Sequence, residues 1–382
     1  MLERLKTFLK RNRLAYKLYY YVLSASINLM KIFVKTDEKL ILFVSFGGRR
    51  ICDSPYAIYE QIRKDKRFHN YKLVWAINDI TRYPDIEYKV RIDSLKYFIT
   101  ALKARCWITN VLVERALNFS GKNTFYLYTD HGAPIKKVGK MDDKTSFHSM
   151  SKDHFDAALA QSQYERKIRA SFLSLTEEKV YLTGIPTNDI LANYTKEYRK
   201  EIREKLGISS EKKVILYAPT FREYDSIGKF DMPLLDMEKW RKALGDEYVL
   251  LYRAHPISKT LYKDDEFVID VSGYDSIESL MIASDVLVSD YSGLIPDYSI
   301  LNKPIFLYVY DYDRYTSTRG LYIDIANLLP SSIDEDIIIQ MIKNGYTSDQ
   351  MTQLKMFKSE FAQKYGNASE LVTDLIAENI GL

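Results

Sequence analysis

The chain has 382 residues, 46% of them hydrophobic and 28% charged. That balance excludes a disordered tail or a fibrous repeat, and the length suits two domains or one large α/β unit. Two cysteines, Cys52 and Cys106, exclude a disulfide framework or a structural zinc site and fit a reducing, cytoplasmic setting.

The net charge of +4 is unevenly spread. The first 36 residues carry eight Lys and Arg against Glu3 alone, net +7, and the remainder is −3. Leu2, Leu5, Phe8 and Leu9 recur at helical spacing between the basic residues. The apolar stretch Leu18 to Met30 is shorter than the ~20 residues that cross a bilayer. No small-residue cleavage site follows it, which argues against a signal peptide. Two readings stand: a helix lying on an anionic membrane face, or a capping helix packed on the protein itself. The first is favoured, with peripheral attachment to the cytoplasmic face of the membrane through residues 1–36. The slightly acidic body argues against a nucleic-acid partner.

From residue 40 short apolar runs alternate with amphipathic segments. Strands are expected at Leu40–Phe46, Lys72–Ile77, Cys106–Thr109, Phe125–Tyr128, Ala157–Ala160 and Lys179–Leu182, with helices at Pro55–Arg63 and Ser94–Ala104. The charged, helix-prone stretch Thr187–Gly207 precedes a second series: Lys213–Tyr217, Tyr248–Tyr252, Phe267–Val271, Val286–Ser289 and Pro304–Tyr308. Asp334–Glu378 reads as helix only. Continuously apolar short strands suit parallel sheets covered on both faces. The expected fold is α/β: two Rossmann-like, doubly wound domains facing a cleft (GT-B type), with an N-terminal basic amphipathic helical arm. The expected division is 1–37 (arm), 38–190 and 191–350 (the two domains) and 351–382 (C-terminal helices). Ligands in such sheets bind beyond the carboxyl ends of the strands. No GxGxxG or P-loop pattern occurs, which argues against a dinucleotide dehydrogenase or a P-loop NTPase.

Five motifs stand at expected strand ends. Gly47 and Gly48 allow either close approach of backbone to a ligand or a tight turn. Asp130-His131-Gly132 leads to Pro134, Lys136 and Lys137. A histidine on a rigid turn, with an ordinary pKa of about 6.5, suits proton abstraction from a hydroxyl; a loop histidine bonding only backbone is the alternative. The lysines would add positive potential for a phosphate. Thr220 and Arg222 could donate to phosphate oxygens, or Arg222 could be solvated. Arg253 and His255 alternate toward one face before Pro256. Ser292, with Gly293 and the N–H groups after it, would form an anion seat at a helix start or serve as an ordinary N-cap. Asp290 would fix that turn or meet a ligand hydroxyl. Asp311 and Asp313 read as loop residues, and no metal is expected.

Together these motifs resemble the CDP-glycerol glycerophosphotransferase family of teichoic acid synthesis. The family's His-Gly-Thr-Pro is His131-Gly-Ala-Pro134 here, and its Arg-x-His-Pro is Arg253-Ala-His-Pro256. Its Ser-Asp-Tyr-Ser-Ser segment is Ser289-Asp-Tyr-Ser-Gly293, its Asp-Lys-Pro is Asn302-Lys-Pro304, and its Arg-Gly-x-Tyr-x-Asp is Arg319-Gly-Leu-Tyr-Ile-Asp324. Tyr217-Ala-Pro-Thr220 and Gly184-Ile-Pro-Thr-Asn188 also look like family signatures. The departures are Ala133 for Thr, Gly293 for Ser, and Asp130 for a Trp before the His-Gly pair.

The resemblance implies transfer of glycerol phosphate, or ribitol phosphate, from a CDP-alditol to a hydroxyl of a lipid-linked saccharide acceptor. It implies His131 as the base. His255, Thr220, Arg222 and Ser292 would hold the donor pyrophosphate, assisted by Arg319. Arg253, Asp290 and Gly293 go with this donor set in the second domain. Gly47, Gly48, Asp130 and Lys136 go with the acceptor side in the first. No cofactor is implied. The short body resembles the primases that add a first glycerol phosphate. The competing expectations are a capsule-polymer transferase, a nucleotide-sugar glycosyltransferase of the same architecture, and a membrane-bound scaffold.

Overall fold

The structure, a computed structural model, describes residues 12–137, 154–222, 235–254, 262 and 265–382. Two sheets frame it. The first contains β1 (Asp37–Val44), β2 (Lys72–Ile77), β3 (Tyr88–Arg91), β4 (Ala104–Thr109), β5 (Phe125–Tyr128), β6 (Ala157–Leu159) and β7 (Val180–Tyr181), in the order β3-β2-β1-β4-β5-β6-β7. The second contains β8 (Lys213–Tyr217), β9 (Tyr248–Tyr252), β10 (Val268–Asp270), β11 (Val286–Ser289), β12 (Ile305–Tyr308) and β13 (Ser331–Ser332), in the order β10-β9-β8-β11-β12-β13. All the pairings are parallel. The central strands are apolar on both faces, so each sheet needs helices on both sides.

Helices α1 (Arg13–Phe33), α2 (Asp53–Lys64), α3 (Leu95–Lys103) and α4 (Gln163–Leu173) belong to the first lobe. Helices α5 (Asp189–Asn193) and α6 (Lys196–Lys205) lead into the second. There α7 (Met237–Leu244), α8 (Ile277–Ala283), α9 (Leu294–Ser299), α10 (Tyr312–Thr318) and α11 (Glu335–Asn344) surround the sheet, before α12 (Ser348–Phe361) and α13 (Ala368–Ile380). The order of connection reverses between β1 and β4, and again between β8 and β11. Open parallel sheets take ligands beside such reversal points.

The expected strands are all present, with ends shifted by at most three residues. Two edge strands are additional. β3 holds Lys89 and Arg91 and buries only Val90, and β13 is two serines long; neither offers an apolar run. The sequence also sets residues 351–382 apart, but the structure divides them between the lobes. Leu354, Phe357 and Phe361 of α12 join the second lobe's core. Val372, Ile376 and Ile380 of α13 pack with Phe43, Trp75 and Leu127 of the first.

Helix α1 starts at an Asn12 cap, whose side chain accepts from Ala15 N–H. Its inner face buries Tyr20, Ser24 and Ile27. The Asn28 amide donates to the Asn118 carbonyl at 2.8 Å, and Asn118 N–H donates to Ser24 Oγ at 2.9 Å. The outer face presents Leu14, Leu18, Val22, Leu29, Ile32 and Phe33, with Leu14 and Phe33 80% exposed. Both readings of the arm therefore hold part of the geometry: one face packs on the protein, and the other is apolar and uncovered.

Candidate active site

β5 delivers Asp130 and His131 to the cleft on a turn, with φ of +59° at Asp130 and +116° at Gly132. Asp130 Oδ1 accepts the His131 N–H at 2.8 Å. His131 Nδ1 lies 2.9 Å from the Asn110 carbonyl oxygen. A carbonyl only accepts, so Nδ1 carries the proton and Nε2 keeps its lone pair. The Phe46 ring packs edge-on against the imidazole at 5.5 Å between centroids.

The turn is held from behind by Arg169, which the sequence does not single out because it sits inside α4 with no motif around it. It is 1% exposed. Its guanidinium donates to the carbonyls of Leu159 at 2.5 Å, Gly132 at 3.1 Å and Thr129 at 3.5 Å, and reaches Asp130 at 3.6 Å and Glu165 at 3.5 Å. It therefore grips backbone on both sides of His131.

Across the cleft, Asp290 is buried and anchors the turn after β11. Its carboxylate accepts from Thr220 N–H at 2.9 Å and Tyr291 N–H at 2.6 Å. The sequence left open whether Asp290 fixes the turn or meets a ligand; as placed, it fixes the turn. Thr220 Oγ1 is buried and makes no hydrogen bond. Ser292 stands one residue before the cap of α9, Gly293, and its Oγ accepts weakly from Leu294 N–H at 3.5 Å.

Arg222 departs from the sequence expectation of a phosphate donor or a solvated side chain. It is 1% exposed. It donates to Asp290 at 2.8 Å, to both oxygens of Asp311 at 2.7 and 3.0 Å, and to the Thr220 carbonyl at 2.5 Å. The rings of Tyr291, Tyr310 and Tyr315 enclose it at 4.9–5.5 Å. Burial alone would lower its pKa, but Asp290 and Asp311 outweigh that and hold it well above the usual value. Arg222 thus braces the donor-side turns from beneath, and Asp311 is its counter-ion.

The two lobes meet at the His131 turn. Ala133 N–H donates to the Gly293 carbonyl at 3.0 Å. A Cβ on Gly293 would lie 2.5 Å from the Ala133 oxygen. Ile135 is buried in the second lobe's core, and its carbonyl accepts from Tyr322 N–H at 2.8 Å. Lys136, placed on the acceptor side by sequence, instead bridges to Leu321 and sits 5.2 Å from the Phe221 ring. The chain leaves the first lobe at His131 and is strapped to the second straight afterwards.

Gly47 and Gly48 have φ of +63° and +79°. A Cβ there would meet Arg115 Nη1 at 2.6 Å or the Ile92 side chain at 3.1 Å, so the tight turn is what requires glycine. Arg253 donates to the carbonyls of Val271, at 2.9 Å, and Tyr274. Arg50, from the other lobe, donates to that same Tyr274 oxygen at 3.3 Å. Burial, and then the Arg50 charge, push Arg253 down to about 10. Arg319 follows α10 and is partly buried. His255 lies outside the described residues.

The family profile of CDP-Glycerol:Poly(glycerophosphate) glycerophosphotransferase matches residues 26–378. A teichoic acid poly(glycerol phosphate) polymerase of Staphylococcus epidermidis is 34% identical over 90% of this chain, which spans about half (51%) of that relative's length. A teichoic acid glycerol-phosphate primase of Bacillus subtilis is 27% identical, over 95% of this chain and 97% of its own. A solved structure of the wall teichoic acid polymerase TagF superimposes with a TM-score of 0.81 at 29% identity, covering 98% of each chain. With a family profile spanning both lobes and the cleft between them, the chain belongs to the CDP-glycerol:poly(glycerophosphate) glycerophosphotransferase family.

Proposed function

We propose that this protein transfers glycerol phosphate from CDP-glycerol to a hydroxyl of a membrane-anchored, lipid-linked teichoic acid acceptor. The acceptor oxygen bonds to the β-phosphorus, the bond from that phosphorus to the bridging oxygen breaks, and CMP leaves. The hydroxyl proton passes to His131 Nε2. The observation that carries this reading is His131 itself, its Nδ1–H committed to the Asn110 carbonyl and its ring on the turn that joins the lobes. Thr220, Ser292, Arg253 and Arg319, with His255, supply the donor side. Such a transfer needs orientation and charge stabilisation more than covalent chemistry.

The finer reading is a primase making a single addition, like the Bacillus subtilis relative; repeated addition is the competing outcome, because a Bacillus spizizenii polymerase matches nearly as fully. Among the described residues, no helix is long and apolar enough to cross a membrane. The outer face of α1, with the basic residues of 1–36, is the surface proposed to lie on anionic lipid. CMP release from CDP-glycerol, with and without a short-lipid disaccharide diphosphate acceptor, tests the reading. Acceptor-dependent CMP with one added glycerol phosphate is expected. A ladder of additions would replace primase by polymerase, and release of UDP or GDP from a nucleotide sugar instead would overturn the donor assignment.

A further inference from the structure

We infer that Asn110 and Asp53 are positioning residues for His131, orienting its ring and keeping the proton on Nδ1 so that Nε2 faces the acceptor. This rests on the reading of His131 as the base. The three residues lie beyond three strands that only the sheet order brings together: Asp53 opens α2 after β1, Asn110 directly follows β4, and His131 lies after β5.

Asn110 is fully buried, and its carbonyl, Oδ1 and Nδ2 all bond within this cluster. Its carbonyl takes His131 Nδ1 at 2.9 Å. Its Oδ1 accepts Phe46 N–H at 2.8 Å, fixing the loop whose aromatic ring flanks the imidazole. Its Nδ2 donates to Asp53 Oδ2 at 2.6 Å. Asp53 Oδ1 accepts Ser54 N–H at 2.7 Å. Asp53 has a φ of +65°, which a non-glycine residue rarely adopts without a compensating contact. Nothing in helix formation requires this: α2 is capped by Cys52 without a side-chain bond, and the Asp53 carboxylate is aimed at Asn110 instead.

The surrounding charges make the cluster respond to the proton on His131. Burial pushes the Asp53 carboxyl up, while Asn110, Ser54 N–H and a protonated His131 pull it down. Asp130 faces His131 Nδ1 at 3.6 Å and is itself tied to Arg169. Glu278 also repels Asp53, and the neighbouring Cys52 thiol, which burial pushes up to about 12, stays neutral.

The test compares wild type, Asp53→Asn, Asn110→Ala and His131→Ala for kcat, CDP-glycerol KM and the pH profile of kcat, with thermal unfolding as a folding check. Asp53→Asn leaves one acceptor oxygen for two donors and is expected to lower kcat about 10- to 100-fold with little change in KM. Asn110→Ala keeps the carbonyl but removes its anchors to Phe46 N–H and Asp53, so ¹⁵N NMR of the imidazole should show a shifted or broadened Nδ1–H signal even if turnover is too low to profile. Unchanged kcat in Asp53→Asn, or an unchanged Nδ1–H signal in Asn110→Ala, overturns the positioning role. Full turnover in His131→Ala overturns the base assignment instead.

Discussion

Single side chains in this cleft divide into those that could meet substrate and those that hold the first group still. Arg222 belongs to the second kind. Its guanidinium sits between two buried carboxylates, and removing it would take the shared cation from both. Arg222→Met should therefore destabilise the fold by about 3–5 kcal/mol, read from urea unfolding. A loss below about 1 kcal/mol would mean a solvated arginine after all. Gly293 shows the same division. Two of the departures from the family motifs, Ala133 and Gly293, touch each other across the lobes. Gly293→Ser should force that contact apart and cost transfer activity while leaving each lobe folded. Unchanged activity would show that the contact does not register His131 against the donor side.

At the scale of elements, α1 has an ordered inner face and an exposed apolar outer face. Changing Leu18, Leu29 and Ile32 to Gln alters only the outer one. This triple variant should release the protein from anionic vesicles without lowering its melting temperature, and salt should weaken the wild-type association. Equal sedimentation of variant and wild type would remove the membrane surface from the account. The same helix shows how far sequence could reach. Its apolar and basic content was readable, but which face packs inward depends on Asn118 and on other loop residues far along the chain. The strand ends follow that pattern. Apolar runs revealed the central strands, and His131 stood out because histidine, glycine and proline together are uncommon. Asn110, Asp53 and Arg169 carry no such signal. Their roles arise from the order in which parallel strands pair, and local sequence does not encode that order.

At the scale of the molecule, a buried polar crossroads ties the lobes together. Gln161, after β6, donates to Asp297 of α9 at 2.7 Å, as does Asn188 ahead of α5. The Gln161 carbonyl receives the N–H groups of Gln363 and Lys364 where the chain returns to the first lobe. Burial, and then Glu165, push the Asp297 carboxyl up to about 7, against the pull of the two amides. In the unfolded chain it titrates near 4. Between about pH 4 and 7 the folded protein therefore holds the extra proton, and this group's contribution to stability falls as pH rises through that window. Asp297→Asn keeps an acceptor for both amides. It should stabilise the protein by about 1–3 kcal/mol at pH 8 and change little at pH 5. Equal losses at both pH values would contradict the shifted carboxyl.

The two lobes are proposed to meet so that His131 can deprotonate an acceptor hydroxyl beside a CDP-activated glycerol phosphate. Acceptor-dependent CMP release from CDP-glycerol by wild type and His131→Ala, with donor binding measured separately, decides this. Robust release by wild type, a loss of about 10²- to 10⁴-fold in the variant, and donor affinity largely kept are expected. Near-normal turnover in the variant would contradict it.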